Sequence, residues 1–474
     1  MNSHSASHQQ GAALLLLMLA VILATSTVLL ANLDRDEIRT RKLADTQQAL
    51  AAARTALIEY ALINPDINPG RAHSLPCPDI DDSGGFADGE AHTSACAARG
   101  VTVAGRLPWR TLGIPAPRDA AAACLWYVVS GSHKDAAGET AEMINADSNG
   151  QLQLFGIDAG RIIAGQSADS RPIAMVIAAM RPLAGQVRPG YDASRQCVAG
   201  ADPIDYLDTD AASSIGNAVQ SGVVDAVDVL AVSAAYRVNH NDQVLSITRA
   251  DIERRVTAST DFAEKMRALG LAAAACVANY GTQNSGGPGD RRLPWPAPLA
   301  MADYRPDSAY NDADSGFFTG RLPDIADDSN ATTGNPVARM LTDCDSVSVP
   351  AWTPEMLARW RNWKDHFFYA VAESHTPTAT VPSTCSGCLS VNGAGQYAAV
   401  LAFANSRLPG TGQVRNAPPT DADTKSVIGN YLESTNASNF PGTGLATDFV
   451  SVAASGSFND LLFCVDEQLL VAEC

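Results

Sequence analysis

Gly105-Arg106-Leu107-Pro108 and Gly320-Arg321-Leu322-Pro323 are one tetrapeptide written twice in a chain of 474 residues. The coincidence extends both ways from it. Leu57-Ile58-Glu59-Tyr60-Ala61 returns as Val277-Ala278-Asn279-Tyr280-Gly281, and Leu75-Pro76-Cys77-Pro78 as Leu293-Pro294-Trp295-Pro296. Trp126-Tyr127-Val128-Val129 pairs with Phe368-Tyr369-Ala370-Val371, and Gly185-Gln186-Val187-Arg188 with Gly412-Gln413-Val414-Arg415. Tyr206-Leu207 and Asn241-Asp242 return as Tyr431-Leu432 and Asn459-Asp460. The acidic run from Asp79 to Gly84 matches Asp312 to Gly316 more loosely. Short matches kept in one order, offset by about 215 to 242 residues, indicate a tandem duplication. Its boundary falls in the polar stretch from Val256 to Asp261.

Both copies follow the same plan. A helix ends at Tyr60 or Tyr280, and a long Gly/Pro/Asp-rich loop follows, in which Pro and Gly exclude regular structure. Strand-like runs come next: Cys124–Val129, Gln151–Phe155 and Ile173–Ala178, then Phe367–Ala372, Tyr397–Ala402 and Phe449–Ala453. Helix, loop and antiparallel strands in that order give an α+β fold class.

The first copy begins differently. From Ala12 to Ala31 the residues are Ala, Leu, Ile, Val or Met except Thr25, Ser26 and Thr27. About 20 uncharged residues suffice to cross a bilayer as a helix. Good helix formers continue from Asp34 to Tyr60, with Leu43, Leu50, Leu57 and Ile58 at heptad-like spacing, until Asn64-Pro65 ends the run. This predicts one helix of about 50 residues, half in lipid and half outside.

The leader ending Gln9-Gln10-Gly11, followed by Ala12-Ala13-Leu14-Leu15-Leu16-Leu17, resembles the class III prepilin signal of type IV pilins and type II secretion pseudopilins. The resemblance covers about the first 60 residues. It implies cleavage between Gly11 and Ala12 by a prepilin peptidase, N-methylation of Ala12, and an apolar helix packed among other pilin or pseudopilin subunits. It also implies pilin-like heads, here two in tandem, each with its sheet on a long helix. Two departures stand out. The glutamate that major subunits carry at the fifth mature position is Leu16 here, which resembles minor subunits at a filament tip. The leader lacks Lys and Arg, whereas Arg35, Arg39, Arg41 and Lys42 follow the apolar run. That distribution alone would point the modules inward. An ordinary uncleaved signal anchor is the plainer alternative.

All 10 cysteines lie beyond the apolar run, which reads as disulfides in an oxidising compartment and outweighs the charge bias. Cys77 with Cys96 and Cys385 with Cys388 are the locally plausible pairs. The expected location is therefore the bacterial inner membrane, single-pass, with the modules in the periplasm or on the cell surface. The expected division is leader 1–11, transmembrane helix 12–31, first module 32–256 and second module 257–474. A formal net charge of −18, from 33 Lys+Arg against 51 Asp+Glu, disfavours nucleic acid as a partner.

Asp79, Asp81 and Asp82, with Asp312 and Asp314 as second-copy equivalents, offer closely spaced oxygens of the kind calcium takes on flexible loops. They lack the twelve-residue EF-hand spacing, and solvated turns are the competing reading. Cys385-Ser386-Gly387-Cys388 has no second ligand pair for zinc, so a small disulfide loop is expected. His73, His92, His133, His240, His366 and His375 are scattered, and no nucleophile elbow, phosphate loop or dinucleotide motif occurs. Trp360 and Trp363, at helical spacing with Met356, read as a core face. The expected role is a minor pilin or pseudopilin-like subunit and not an enzyme. The alternative is a signal-anchored extracytoplasmic binding or adhesion protein outside any filament.

Overall fold

The structure, a computed structural model, describes residues 7–67, 73–81, 85–135, 143–188, 197, 201–218, 220–233, 237, 239–256, 260–283, 291–312, 316–326, 338–379, 385, 387–408, 410–440, 445 and 447–474. Within its elements, the side chains of 7–13, 24, 26–39, 64–67, 95, 260 and 338 lie outside that description. The first half comprises α1 (Ser7–Ile67), β1 (Val103–Arg106), β2 (Trp126–Val129), β3 (Leu152–Gly156), β4 (Arg161–Ala164), β5 (Pro172–Ala178), β6 (Asp228–Val232), β7 (Gln243–Thr248) and α2 (Arg249–Val256). The second comprises α3 (Thr260–Gln283), β8 (Thr319–Arg321), α4 (Pro354–Trp363), β9 (Phe367–Val371), β10 (Leu389–Val391), β11 (Ala394–Phe403), β12 (Asp448–Phe449), β13 (Leu461–Asp466) and β14 (Val471–Glu473), with shorter pieces between.

The two halves share one sheet plan. In the first, the antiparallel order is β7-β5-β2-β1; in the second, β13-β11-β9-β8 repeats it. A parallel pair accompanies each sheet: β3 with β6, in a separate sheet with β4, and β10 with β12, joined to the second sheet through β11. Even the register repeats, with Arg106 opposite Trp126 and Arg321 opposite Phe368.

The strand sequences read as continuous apolar runs because both faces of each sheet are covered. Tyr127, Val129 and Val176 join Leu50, Leu57 and Ile58 of α1 in one core, while Trp126, Val128 and Met175 meet Leu152, Leu154 and Leu230 on the other face. In the second half, Tyr369, Leu401 and Phe463 pack with Leu269, Ala273 and Val277 of α3, and Phe368, Val400 and Leu462 face Tyr431 and Phe440. Trp360 and Trp363 are buried in that helix-side core, with Met356 partly buried against it. Gly270 lets α3 approach the sheet: a Cβ there would lie 2.0 Å from the Phe463 ring.

Several expectations are corrected. The fold is mixed helix and sheet with several separate sheets, not pilin-like heads on one long helix with an apolar, lipid-embedded half. Among the described residues no helix is long and apolar enough to cross a membrane, so the transmembrane helix and the single-pass inner-membrane location are not retained. Of the run Ala12–Ala31, the side chains of Leu14–Leu23 and Thr25 are described, and those of the rest are not. α1 continues past Asn64-Pro65 to Ile67. Leu43 does not join the buried stripe, being 41% exposed. The outer strands β7 and β13 escaped the sequence reading, as did β1 and β8.

Five disulfides close within the halves: Cys77–Cys96 and Cys124–Cys197 in the first, Cys276–Cys344, Cys385–Cys388 and Cys464–Cys474 in the second. No free cysteine remains, which suits an oxidising compartment.

Candidate functional site

The expected site residues are scattered. Gly11 and Ala12 lie in α1, their side chains outside the described residues. Asp82 and Asp314 also lie outside the described residues. Asp79 is buried opposite Arg106 in the same bridge that Ala297 forms with Arg321, so its second-copy equivalent is Ala297 and not Asp312. Its Oδ2 accepts the Gly89 N–H at 2.7 Å, and burial pushes its carboxyl up to about 7. Asp81 instead pairs with His92 at 3.0 Å, and the backbone N–H of Asp312 donates to Ile325. Among the described residues no group of three or more His, Cys, Asp or Glu side chains is placed to hold a metal ion.

What the fold does bring together is a buried polar latch, present twice. In the first half Asp242 Oδ2 accepts the Asp208 N–H and the Asn217 amide, each at 2.8 Å. Asp208 Oδ2 accepts the N–H groups of Asn241 and Asp242, at 2.5 and 2.9 Å, and Oδ1 accepts Gln186 at 3.0 Å. Asn217 clamps β6 by exchanging hydrogen bonds with the N–H and C=O of Ala231 at 2.8 and 3.0 Å. In the second half Asp460 Oδ2 accepts the Glu433 N–H and the Asn436 amide, each at 3.0 Å. Glu433 accepts the Asn459 N–H at 3.0 Å and Gln413 at 2.8 Å, and Asn436 clamps Val450 at 2.8 and 3.0 Å.

An arginine closes each latch. Arg188 donates to the Ala179, Met180 and Tyr206 carbonyls, and Arg415 to those of Asn405, Asn430 and Tyr431. The repeated GRLP arginines complete the stack. Arg106 lies over Trp126 and Tyr206, at 4.0 and 4.3 Å from the ring centroids; Arg321 lies over Phe368 and Tyr431 at 4.3 and 4.7 Å. Gly105 and Gly320 make room for the neighbouring chain, since a Cβ would meet the carbonyls of Asp79 and Ala297 at 2.8 and 2.2 Å.

Burial raises the carboxyls of Asp242 and Asp460 above their ordinary range, and the acidic neighbours Asp208 and Glu433 push the same way. A neutral acid beside a carboxylate has the makings of an acid/base pair. Here both members are buried, from 0% to 6% exposed, and committed to backbone N–H groups in both copies, so the arrangement fastens loops to sheets. The serine–histidine neighbours are likewise structural. Ser132 Oγ lies 2.8 Å from His133 Nδ1 and Ser374 Oγ 3.0 Å from His375 Nδ1, while the two histidine carbonyls hold the N–H groups of Leu75 and Leu293. Burial drives the His133 imidazole down to about 3, which leaves it a poor base.

The halves meet through residues 143–149. Met143 packs in the second half's core, and the Asn145 amide donates to the Asn362 carbonyl and to Asp365 Oδ1, both at 2.9 Å. Asp365 Oδ2 accepts from Lys425 at 2.7 Å, and His366 Nε2 stands 3.0 Å from Asp147 Oδ2. That last contact is close in distance but off the direction of the ring N–H, so it is not an aligned hydrogen bond. Burial alone would raise Asp365, but Lys425 and His366 bring it down to about 2. Arg305 binds Asp225 across the junction at 3.2 Å, and Asp169 bridges Arg249 and Arg407 at 3.5 and 3.0 Å. Beside this network lies a cavity of about 90 Å³.

None of these networks was legible in the sequence. The one available signal was the in-order return of Gln-Val-Arg, Tyr-Leu and Asn-Asp. No protein-family model, no curated protein and no solved structure matches this chain.

Proposed function

We propose that this chain is a specialised assembly subunit working outside the cytoplasm, in the manner of a minor pilin or pseudopilin at the tip of a type IV pilus or type II secretion filament. The observation that carries the reading is the exposure of the apolar stretch behind the Gly11–Ala12 junction. Leu14 to Leu19 are each between 53% and 72% exposed, as are Val21, Ile22 and Leu23 between 54% and 60%. An apolar surface of that kind calls for apolar neighbours, and the helices of other subunits supply them. Leu16 forms no charge pair with a preceding subunit, which suits a terminal position. The two latched modules then serve as the displayed body, and the chain acts by assembly and display, not by catalysis.

Filament shearing tests this in a host with a prepilin peptidase. The chain should fractionate with sheared filaments, and Leu16→Asp with Leu19→Asp should abolish that while leaving the modules folded. Recovery of the doubly substituted chain in the filament fraction at the original level would contradict the reading. A second reading, a binding protein outside any filament, is favoured by the cavity between the modules.

A further inference from the structure

We infer that the Cys385–Cys388 disulfide is a thiol–disulfide exchange site, a bridge that a dithiol opens while the other four hold the fold. The inference holds whether or not the chain joins a filament. The five bridges divide by span and by burial. Cys77–Cys96, Cys124–Cys197, Cys276–Cys344 and Cys464–Cys474 join residues 19, 73, 68 and 10 apart, and each includes at least one buried cysteine. Cys385 and Cys388 are 3 apart, and both are half-buried. The restraint a disulfide puts on the unfolded chain grows with the loop it closes, so this small ring holds least. Opening it leaves Leu389–Val391 in the sheet, through its pairing with β11 and β12. With neither cysteine enclosed, it is also the bridge most open to an attacking thiolate.

The surroundings of the two sulfurs differ. Cys388 packs against the core around Phe368 and Leu389, and Ser374 Oγ stands 4.0 Å from its Sγ. A disulfide sulfur carries no hydrogen, so the hydroxyl is the donor of that contact. His375 Nδ1 lies 3.0 Å from the same oxygen and donates to it in the tautomer protonated there. The first half shows what this replaces, because Ser132, the counterpart of Ser374, gives its hydroxyl to the Asn149 carbonyl at 2.7 Å. Turned to sulfur, the hydroxyl stabilises a departing thiolate. The exchange therefore has a direction. A thiolate of the incoming dithiol bonds to Cys385 Sγ; the S–S bond breaks, its electron pair leaves on Cys388 Sγ beside Ser374, and that sulfur takes a proton from solvent. The dithiol's second thiolate then attacks its own sulfur in the mixed disulfide. That closes the dithiol's disulfide and releases Cys385, which is protonated in turn. Two electrons have passed to this chain, and an oxidised disulfide such as that of glutathione takes them back.

The test is timed reduction of the full chain by dithiothreitol under native conditions, with each cysteine quantified by alkylation and peptide mass spectrometry. Cys385–Cys388 should open at least about tenfold faster than any other bridge. It should reclose on adding oxidised glutathione, and the melting transition should persist while it is open. Ser374→Ala should slow this opening several-fold while the other bridges keep their rates, and Ser374→Thr should restore it. Cys385→Ser combined with Cys388→Ser should fold with the four remaining bridges intact. The proposal is overturned if another bridge opens as fast, if opening abolishes the melting transition, if oxidised glutathione does not reclose the bridge, or if Ser374→Ala is reduced at the parent's rate.

Discussion

The two halves of this molecule keep the same buried charges and differ in what they do with their helices. Asp208, Asp242, Asn217 and Arg188 recur as Glu433, Asp460, Asn436 and Arg415 with nearly the same bonds. By contrast α3 is spent against its own sheet, whereas α1 extends well before its sheet begins and leaves Leu14–Leu23 exposed. Local differences follow the same division. Asp79 stands where the second half has Ala297, and buried His240 where it has Phe458. Duplication preserved the groups whose removal would strand a buried partner. Positions whose neighbours could adjust were free to diverge.

The helix–sheet contact shows such an adjustment. Gly270 of α3 faces the ring of Phe463; the repeat places Leu50 and Leu245 at those positions, a large residue on the helix and a smaller one on the strand. Both solutions fill the layer.

The asparagine clamps are where the two halves should lose most stability on substitution. Asn217→Ala and Asn436→Ala each remove three hydrogen bonds and leave the N–H and C=O of Ala231 or of Val450 unpaired. Each should cost ~2–4 kcal/mol in denaturant unfolding. A large loss at one and almost none at the other would mean that only one latch matters. Next in size, Gly270→Ala should cost ~1–3 kcal/mol by forcing α3 off Phe463, and Phe463→Leu should restore part of it. Full additivity of the two substitutions would deny their contact.

The smallest effect is on pH. Asp242 and Asp460 have folded pKa values raised above an unfolded value of 3.8, so the folded state holds protons that the unfolded state has released. Their contribution is full below the unfolded pKa and is lost as pH rises, for Asp460 through about 8. His133 runs the opposite way. Lowered from 6.5 to about 3, it contributes above 6.5, and that is lost as pH falls toward 3. The melting temperature should therefore drop between about pH 5 and pH 9, and Asp460→Asn should flatten that slope. An unchanged slope in the variant would remove Asp460 as its source.

The repeat was legible because its landmarks have no freedom. Gly105 and Gly320 sit where a Cβ collides with backbone, and Arg106 and Arg321 each stack on two rings, so the tetrapeptide survived in both copies. The central strands were legible as apolar runs buried on both faces. β7 was not, since most of its residues are half-buried and show no alternation. β13 is apolar and buried but closes the chain within a few residues of β14, without the loop-and-strand spacing seen elsewhere. The acidic runs misled: Asp79 is matched to Asp312 by composition but to Ala297 by its place in the sheet. The junction could not have been read at all, because Asn145 meets Asp365 across more than two hundred intervening residues. The apolar run at the N-terminus overstated its case, since composition alone does not distinguish a membrane-crossing helix from an exposed assembly surface.

That last distinction makes the N-terminus the most direct test. Intact-mass and N-terminal peptide measurements on the chain purified from cells with a prepilin peptidase should find a methylated Ala12 as the first residue. An unprocessed Met1 in such cells would contradict the assembly-subunit account.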